Sequence, residues 1–224
     1  MKKPTNLPHR RPILYLISNR RAFPESSGWE RQLRGIAAAA RAGCSLIQIR
    51  EKDLSARELA RFTREALALA HPWGARVLVN DRLDVALATG ADGVHLRTTS
   101  LPASVVRRTL DRMDRTSFLI GVSTHSLDEA RAAAEGGADF IVCGPVHETP
   151  SKIALGPPLG LAGLGEICRS TPIPVLALGG IKRSNYREAL AAGAAGIAGI
   201  GLFQDPPDPA AIINDMLGHH QSLQ

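Results

Sequence analysis

A chain of 224 residues can bury about 70% of its unfolded surface, enough for one large core. The composition is globular, 44% hydrophobic and 21% charged, and nine aromatic residues leave few rings to stack on single-stranded nucleic acid. The net charge of +6 also fails to argue for a nucleic-acid partner, because eight of the 27 basic residues (Lys2, Lys3, Arg10, Arg11, Arg20, Arg21, Arg31 and Arg34) gather near the N-terminus as a solvated basic arm.

Residues 1–11 carry no hydrophobic period and read as a flexible N-terminal arm. Met1-Lys2-Lys3-Pro4 is not followed by the apolar run of a signal peptide, and no stretch reaches a membrane span, so a cytoplasmic location is expected. The first apolar, β-branched run, 13–18, reads as a strand. The second, 45–50, ends in Gln48-Ile49-Arg50-Glu51-Lys52. If the strand runs through this phrase, Gln48, Arg50 and Lys52 share a face. A planar fork beside a compact charge suits a diphosphate, while a solvated charge run at a strand end is the bland reading of the same residues. Ser55-Ala56-Arg57-Glu58 has the form of a capping box and opens a helix over 56–70. Strand-type runs follow at 76–80, 93–96 and 118–123. Ser126-Leu127-Asp128-Glu129 opens another helix over 127–135, and runs at 140–143, 174–178 and 196–200 bring the strands to eight. The phrases around Gly43, Gly90, Gly137 and Gly193 each end a helix and enter a strand, as if one turn were reused. Residues 219–224 read as a frayed end. Cys44, Cys143 and Cys168, odd in number and widely spaced, read as reduced structural thiols.

Near-continuous apolar strands alternating with helices imply a parallel sheet covered by helices. Eight repeats match a single-domain (β/α)8 TIM barrel over 12–218, with a doubly wound open sheet as the runner-up. A barrel carries its site at the C-terminal ends of the strands, and here these ends are polar: Ser18-Asn19, Gln48 to Lys52, Asn80-Asp81, His95, Ser123 to His125, His147 to Lys152, Gly179-Gly180 and Ile200-Gly201.

Seven phrases in order carry a resemblance. They are Gln48-Ile49-Arg50-Glu51-Lys52, Asn80-Asp81-Arg82-Leu83-Asp84, Gly90-Ala91-Asp92-Gly93-Val94-His95-Leu96, Gly121-Val122-Ser123-Thr124-His125-Ser126, Gly144-Pro145-Val146-His147-Glu148-Thr149-Pro150-Ser151-Lys152, Pro157-Pro158-Leu159-Gly160 and Gly179-Gly180-Ile181. Over 12–205 the chain resembles the thiamine phosphate synthase and TenI (thiazole tautomerase) family. The resemblance implies a thiamine biosynthesis enzyme that joins aminopyrimidine methyl diphosphate to a thiazole or carboxythiazole phosphate and expels diphosphate. It implies that Gln48 bonds the pyrimidine, that Arg50, Lys52 and Lys152 hold the diphosphate, and that Asn80 adds a contact. Ser123 would lie at the reacting centre, and Thr149, Ser151, Gly180, Ile200 and Gly201 would bind the thiazole phosphate. Asp81 would hold Mg²⁺.

Two departures from the family pattern keep alternatives open. Where synthases read Val-His-Leu-Gly-Gln-x-Asp, this chain reads Val94-His95-Leu96-Arg97-Thr98-Thr99-Ser100, so Ser100 replaces the second metal carboxylate and Arg97 enters. Asp81 then holds Mg²⁺ with substrate phosphates and water, or Arg97 takes over part of the metal's charge, or diphosphate chemistry is lost. In the sixth loop, His147-Glu148 resembles the TenI branch, whose proton transfer would use His125. A thiazole tautomerase and a non-catalytic thiazole or thiamine phosphate binder are therefore the alternatives. Homodimerisation is left open.

Overall fold

Each β-branched run becomes a strand and each Ala/Leu-rich stretch a helix in the computed structural model, which describes residues 7, 12–149, 157–204 and 209–221. Among these, the strands are β1 (Ile13–Ile17), β2 (Leu46–Ile49), β3 (Arg76–Asn80), β4 (Gly93–Leu96), β5 (Leu119–Thr124), β6 (Phe140–Cys143), β7 (Val175–Ala177) and β8 (Gly196–Gly199). The helices are α1 (Glu25–Ala42), α2 (Ala56–Ala70), α3 (Leu83–Thr89), α4 (Ala103–Arg112), α5 (Leu127–Glu135), α6 (Gly160–Ser170), α7 (Tyr186–Ala191), α8 (Gly201–Gln204) and α9 (Pro209–Gln221). The strands hydrogen-bond in sequence order into a closed parallel barrel, so the expected (β/α)8 arrangement holds and the open sheet does not. Strands in such a sheet are covered on both faces, which is why β1 reads as five apolar residues in a row, none more than 4% exposed. Two compact units divide these elements, one built on Val94–Ile197 and the other on Arg10–Gly93 with Ala198–Gln224.

The recurring Gly phrase is indeed one turn used four times. Gly43, Gly90, Gly137 and Gly193 all take positive φ, between 73° and 106°. In each case the next residue returns its N–H to the carbonyl five residues back: Cys44 to Ala39, Ala91 to Ala86, Ala138 to Ala133 and Ala194 to Ala189. This is the Schellman closure, and it needs a left-handed residue at its corner. Where the phrase continues into Asp, the carboxylate closes a reciprocal pair with the preceding strand. Asp92 donates its N–H to the Val77 carbonyl and accepts the Val77 N–H, each at 2.8 Å. Asp139 does the same with Ile120, at 2.8 and 2.7 Å. The sequence thus spends its Gly-Ala-Asp on fixing where β4 and β6 start.

The helix starts are equally local. At α2 the box is complete: the Ser55 hydroxyl accepts the Glu58 N–H and the Glu58 carboxylate accepts the Ser55 N–H. These bonds from Ser55 hold the Glu58 carboxyl below its ordinary value. The helix then buries Leu59, Phe62, Ala66 and Leu67. Phe62 meets the Trp29 ring of α1 edge-on, centroids 4.9 Å apart. Cys44 and Cys143 are buried, Cys168 is half-buried and all three are free thiols. Burial pushes the Cys44 thiol up to about 12 and that of Cys168 up to about 11, consistent with inert filler roles.

Candidate active site

The unit built on Arg10–Gly93 carries the donor cluster. Gln48 sits in β2, 2% exposed, with its side-chain amide donating to the Tyr15 hydroxyl at 3.2 Å. Tyr15 is fully buried, and burial raises its phenol far above the ordinary value, so it stays a neutral partner for the amide. The strand ends at Ile49, one residue earlier than expected, so alternation does not orient Arg50 and Lys52. Instead they flank the buried Glu51 in the following loop, Arg50 half-buried and Lys52 exposed. In the register of β2 with β3, Ile49 lies opposite Val79; Arg50 is the first residue past β2 and Asn80 the last residue of β3. Asp81 follows with φ 66°, a left-handed turn between β3 and α3, and is half-exposed. Ile200 and Gly201 stand at the end of β8 and the start of α8, in the same unit.

Glu51 is the residue the donor reading passed over. Its carboxylate is 5% exposed and accepts from the Ser18 hydroxyl at 2.5 Å and from the Arg20 N–H at 3.1 Å to each oxygen. Burial raises this carboxyl above its ordinary value, against the lowering pull of the Ser18 and Arg20 bonds.

The unit built on Val94–Ile197 carries the hydroxyl and the imidazoles. Ser123, in β5, has its Oγ 2.8 Å from Nε2 of His95, a β4 residue only 2% exposed. His125, just past β5, bonds the Gly144 carbonyl through Nδ1, so that nitrogen carries a proton. Its own N–H donates to the Glu129 carboxylate at 2.6 Å. The second capping box is therefore only half made, since Glu129 reaches past the Ser126 N–H to His125 while Ser126 Oγ caps the Glu129 N–H at 3.2 Å. A cavity of about 290 Å³ opens beside Ser123, with Arg97, Ser100, Ser104, Thr124 and Glu129 in its wall. Arg97 itself is exposed. In the sixth loop His147 and Thr149 are half-buried and Glu148 is exposed. Gly180 has φ 65°, and a Cβ there would stand 2.6 Å from the His147 Cβ, so only glycine lets that loop approach. Ser151 and Lys152 lie outside the described residues.

The phrases on these two units match one family model, thiamine monophosphate synthase, over residues 14–203. The chain belongs to the thiamine monophosphate synthase family. A relative from Geobacter sulfurreducens, provisionally named as a thiamine-phosphate synthase, is 47% identical over 88% of each chain. The thiamine-phosphate synthase of Roseiflexus castenholzii is 40% identical over 94% of this chain and 89% of its own. Among solved structures, the thiamine phosphate pyrophosphorylase of Pyrococcus furiosus superposes with TM-score 0.81 at 32% identity, over 98% of both chains. A 3-hexulose-6-phosphate synthase, at 19% identity and TM-score 0.65, shares the fold alone. Family membership makes this a thiamine-biosynthesis enzyme of the transferase type. No helix among the described residues is long and apolar enough to cross a membrane.

Within the thiamine monophosphate synthase family pattern one of the two metal positions is altered, Ser100 standing in place of a carboxylate while Asp81 is kept. Among the described residues no group of three or more His, Cys, Asp or Glu could hold a metal ion. Ser100, at the position of the second carboxylate, accepts the Arg97 N–H at 2.8 Å and so serves a local turn. A single carboxylate such as Asp81 would suit a Mg²⁺ only if substrate phosphate and water supplied its other oxygens. Besides Glu51, the sequence reading missed Tyr15 as the partner of Gln48 and left His95 without a role. Its only signal for His95 was a polar residue in an apolar run, and for Glu51 an acid set between two cations.

Proposed function

We propose that this enzyme makes thiamine phosphate, joining aminopyrimidine methyl diphosphate to thiazole phosphate, or to carboxythiazole phosphate, with release of diphosphate and, for the carboxylated thiazole, of its carboxylate as CO₂. The observation that supports the reading is that Arg50 just past β2 and Asn80 at the end of β3 follow the paired residues Ile49 and Val79 of neighbouring strands, with Lys52 and Asp81 next along the chain. The pyrimidine half of a synthase site needs these groups, whereas a tautomerase never binds pyrimidine. The C–O bond to diphosphate breaks with its electron pair going to the leaving oxygen, and the thiazole nitrogen then bonds the pyrimidine methylene carbon. Negative charge on the leaving group grows along this path. Arg50, Lys52 and Lys152 stabilise it more in the transition state than in the ground state, which is what raises the rate. Gln48 orients the pyrimidine, and its amide is held in place by Tyr15. Ser123, aligned by His95, contacts the reacting centre. Thr149 and Ser151, with the amides of Gly180, Ile200 and Gly201, hold the thiazole phosphate. Mg²⁺, carried by Asp81 and the diphosphate, supplies further charge neutralisation when bound.

One observation favours a second reading, a thiazole tautomerase: the Nδ1–H of His125 is committed to Gly144, which fixes the ring so that Nε2 is the nitrogen left for proton transfer. Paired variants separate the two. On the synthase reading, Arg50→Ala lowers kcat/KM for thiamine phosphate formation by roughly 10²-fold or more, the scale of losing one charge that stabilises a transition state. On the tautomerase reading, Arg50→Ala leaves proton exchange on carboxythiazole phosphate intact and His125→Ala abolishes it. Synthesis unaffected by Arg50→Ala removes the synthase assignment of that residue.

A further inference from the structure

We infer that Glu51 is a positioning residue for the diphosphate-binding pair Arg50 and Lys52, acting through Ser18 on the backbone from which both cations project. The inference rests on the reading in which those cations hold the diphosphate.

The bonds run in one direction. The Ser18 hydroxyl gives its single proton to Glu51 Oε1 at 2.5 Å, which turns a lone pair to the Arg50 N–H at 2.8 Å. Ser18 is itself fixed, 0% exposed, with its N–H on the Gln48 carbonyl at 2.9 Å. The other side of the carboxylate takes the Arg20 N–H, tying the loop after β1 to the loop after β2. The Glu51 carbonyl accepts the Leu54 N–H at 3.4 Å, closing the turn that holds Lys52. One residue thus anchors the start of the loop by its side chain and the end by its backbone.

The neighbouring charges fit this role. Arg20 directs its guanidinium to Asp53 at 2.6 Å, with Nε 3.9 Å from Glu51, so the buried carboxylate has a cation beside it that belongs to the scaffold. A buried carboxyl is costly unless its acceptor capacity is met, and a position that only filled space would be served better by an apolar side chain. Here both oxygens are met by donors from the β1 loop, and an amide in place of the carboxylate would lose the charge and set its NH2 against the Arg20 N–H now met by Oε2.

The test is calorimetric binding of inorganic pyrophosphate, together with steady-state kinetics, in wild type, Glu51→Gln, Ser18→Ala and Arg50→Ala. Glu51→Gln and Ser18→Ala are expected to weaken pyrophosphate and raise KM for the pyrimidine diphosphate by about tenfold, the scale of one lost charge-assisted bond. KM for the thiazole phosphate stays within about twofold of wild type, whereas a loss of fold alone moves all parameters together. Ser18→Ala carries the test should Glu51→Gln fail to fold. Variants at 18 and 51 that bind pyrophosphate as tightly as wild type, while Arg50→Ala does not, overturn the role of Glu51. Wild type and Arg50→Ala both failing to bind pyrophosphate overturns the diphosphate reading beneath it.

Discussion

Ser123 owes its orientation to a neighbour without a side chain. A Cβ on Gly121 would stand 2.8 Å from Nδ1 of His95 and 2.4 Å from Cζ of Phe140, so the glycine keeps the slot in which the buried imidazole reaches Ser123. Gly121→Ala is expected to displace His95 and lower kcat by roughly tenfold, with an overpacking cost of about 1–3 kcal/mol in unfolding free energy. Kinetics beside urea unfolding check this: a variant that loses stability yet keeps its kcat would show that the His95 to Ser123 bond does not serve the reaction. Glu51 belongs to the same scale. Its role was illegible in the sequence because it depends on Ser18, 33 positions away, whose hydroxyl the fold brings to the carboxylate.

At the scale of elements, legibility followed locality. The strands were found within a residue or two of their true ends because a strand buried on both faces writes itself as an unbroken apolar run. Helix ends were legible where one residue's geometry decides them, as at Gly43 and at the Ser55 box. Ser126-Leu127-Asp128-Glu129 has the four-residue form of a box and makes half of one, because the Glu129 carboxylate takes its bond from the His125 N–H, a preference no four-residue pattern encodes. The same limit applied to Gln48, Arg50 and Lys52, since β2 stops before the alternation could orient the two cations. The complete box at α2 should carry measurable stability. Ser55→Ala is expected to cost about 1 kcal/mol in urea unfolding, the usual worth of an N-cap hydroxyl. A cost near zero would mean that the packing of Phe62 on Trp29 sets the start of the helix by itself.

For the whole molecule, the barrel explains why polar residues scattered from Gln48 to Gly201 belong to one argument: each lies in or just past the C-terminal part of a strand in a sheet closed in sequence order. Fold and family were legible because seven phrases kept their order. The reaction was less so, because Ser100 stands where the family pattern has its second metal carboxylate and Arg97 where it has a glycine, and only the structure shows Ser100 bonded to the Arg97 backbone. On the proposed reading, Asp81 is then the one metal carboxylate, and Arg50, Lys52 and Lys152 are the cations for a leaving diphosphate. The most direct measurement is thiamine phosphate formation by the purified chain from aminopyrimidine methyl diphosphate and thiazole phosphate, with Mg²⁺ and again with a chelator. The account predicts product with Mg²⁺, matched by released diphosphate, and a loss of product on chelation. No product from either thiazole phosphate, with proton exchange on carboxythiazole phosphate in its place, would contradict it.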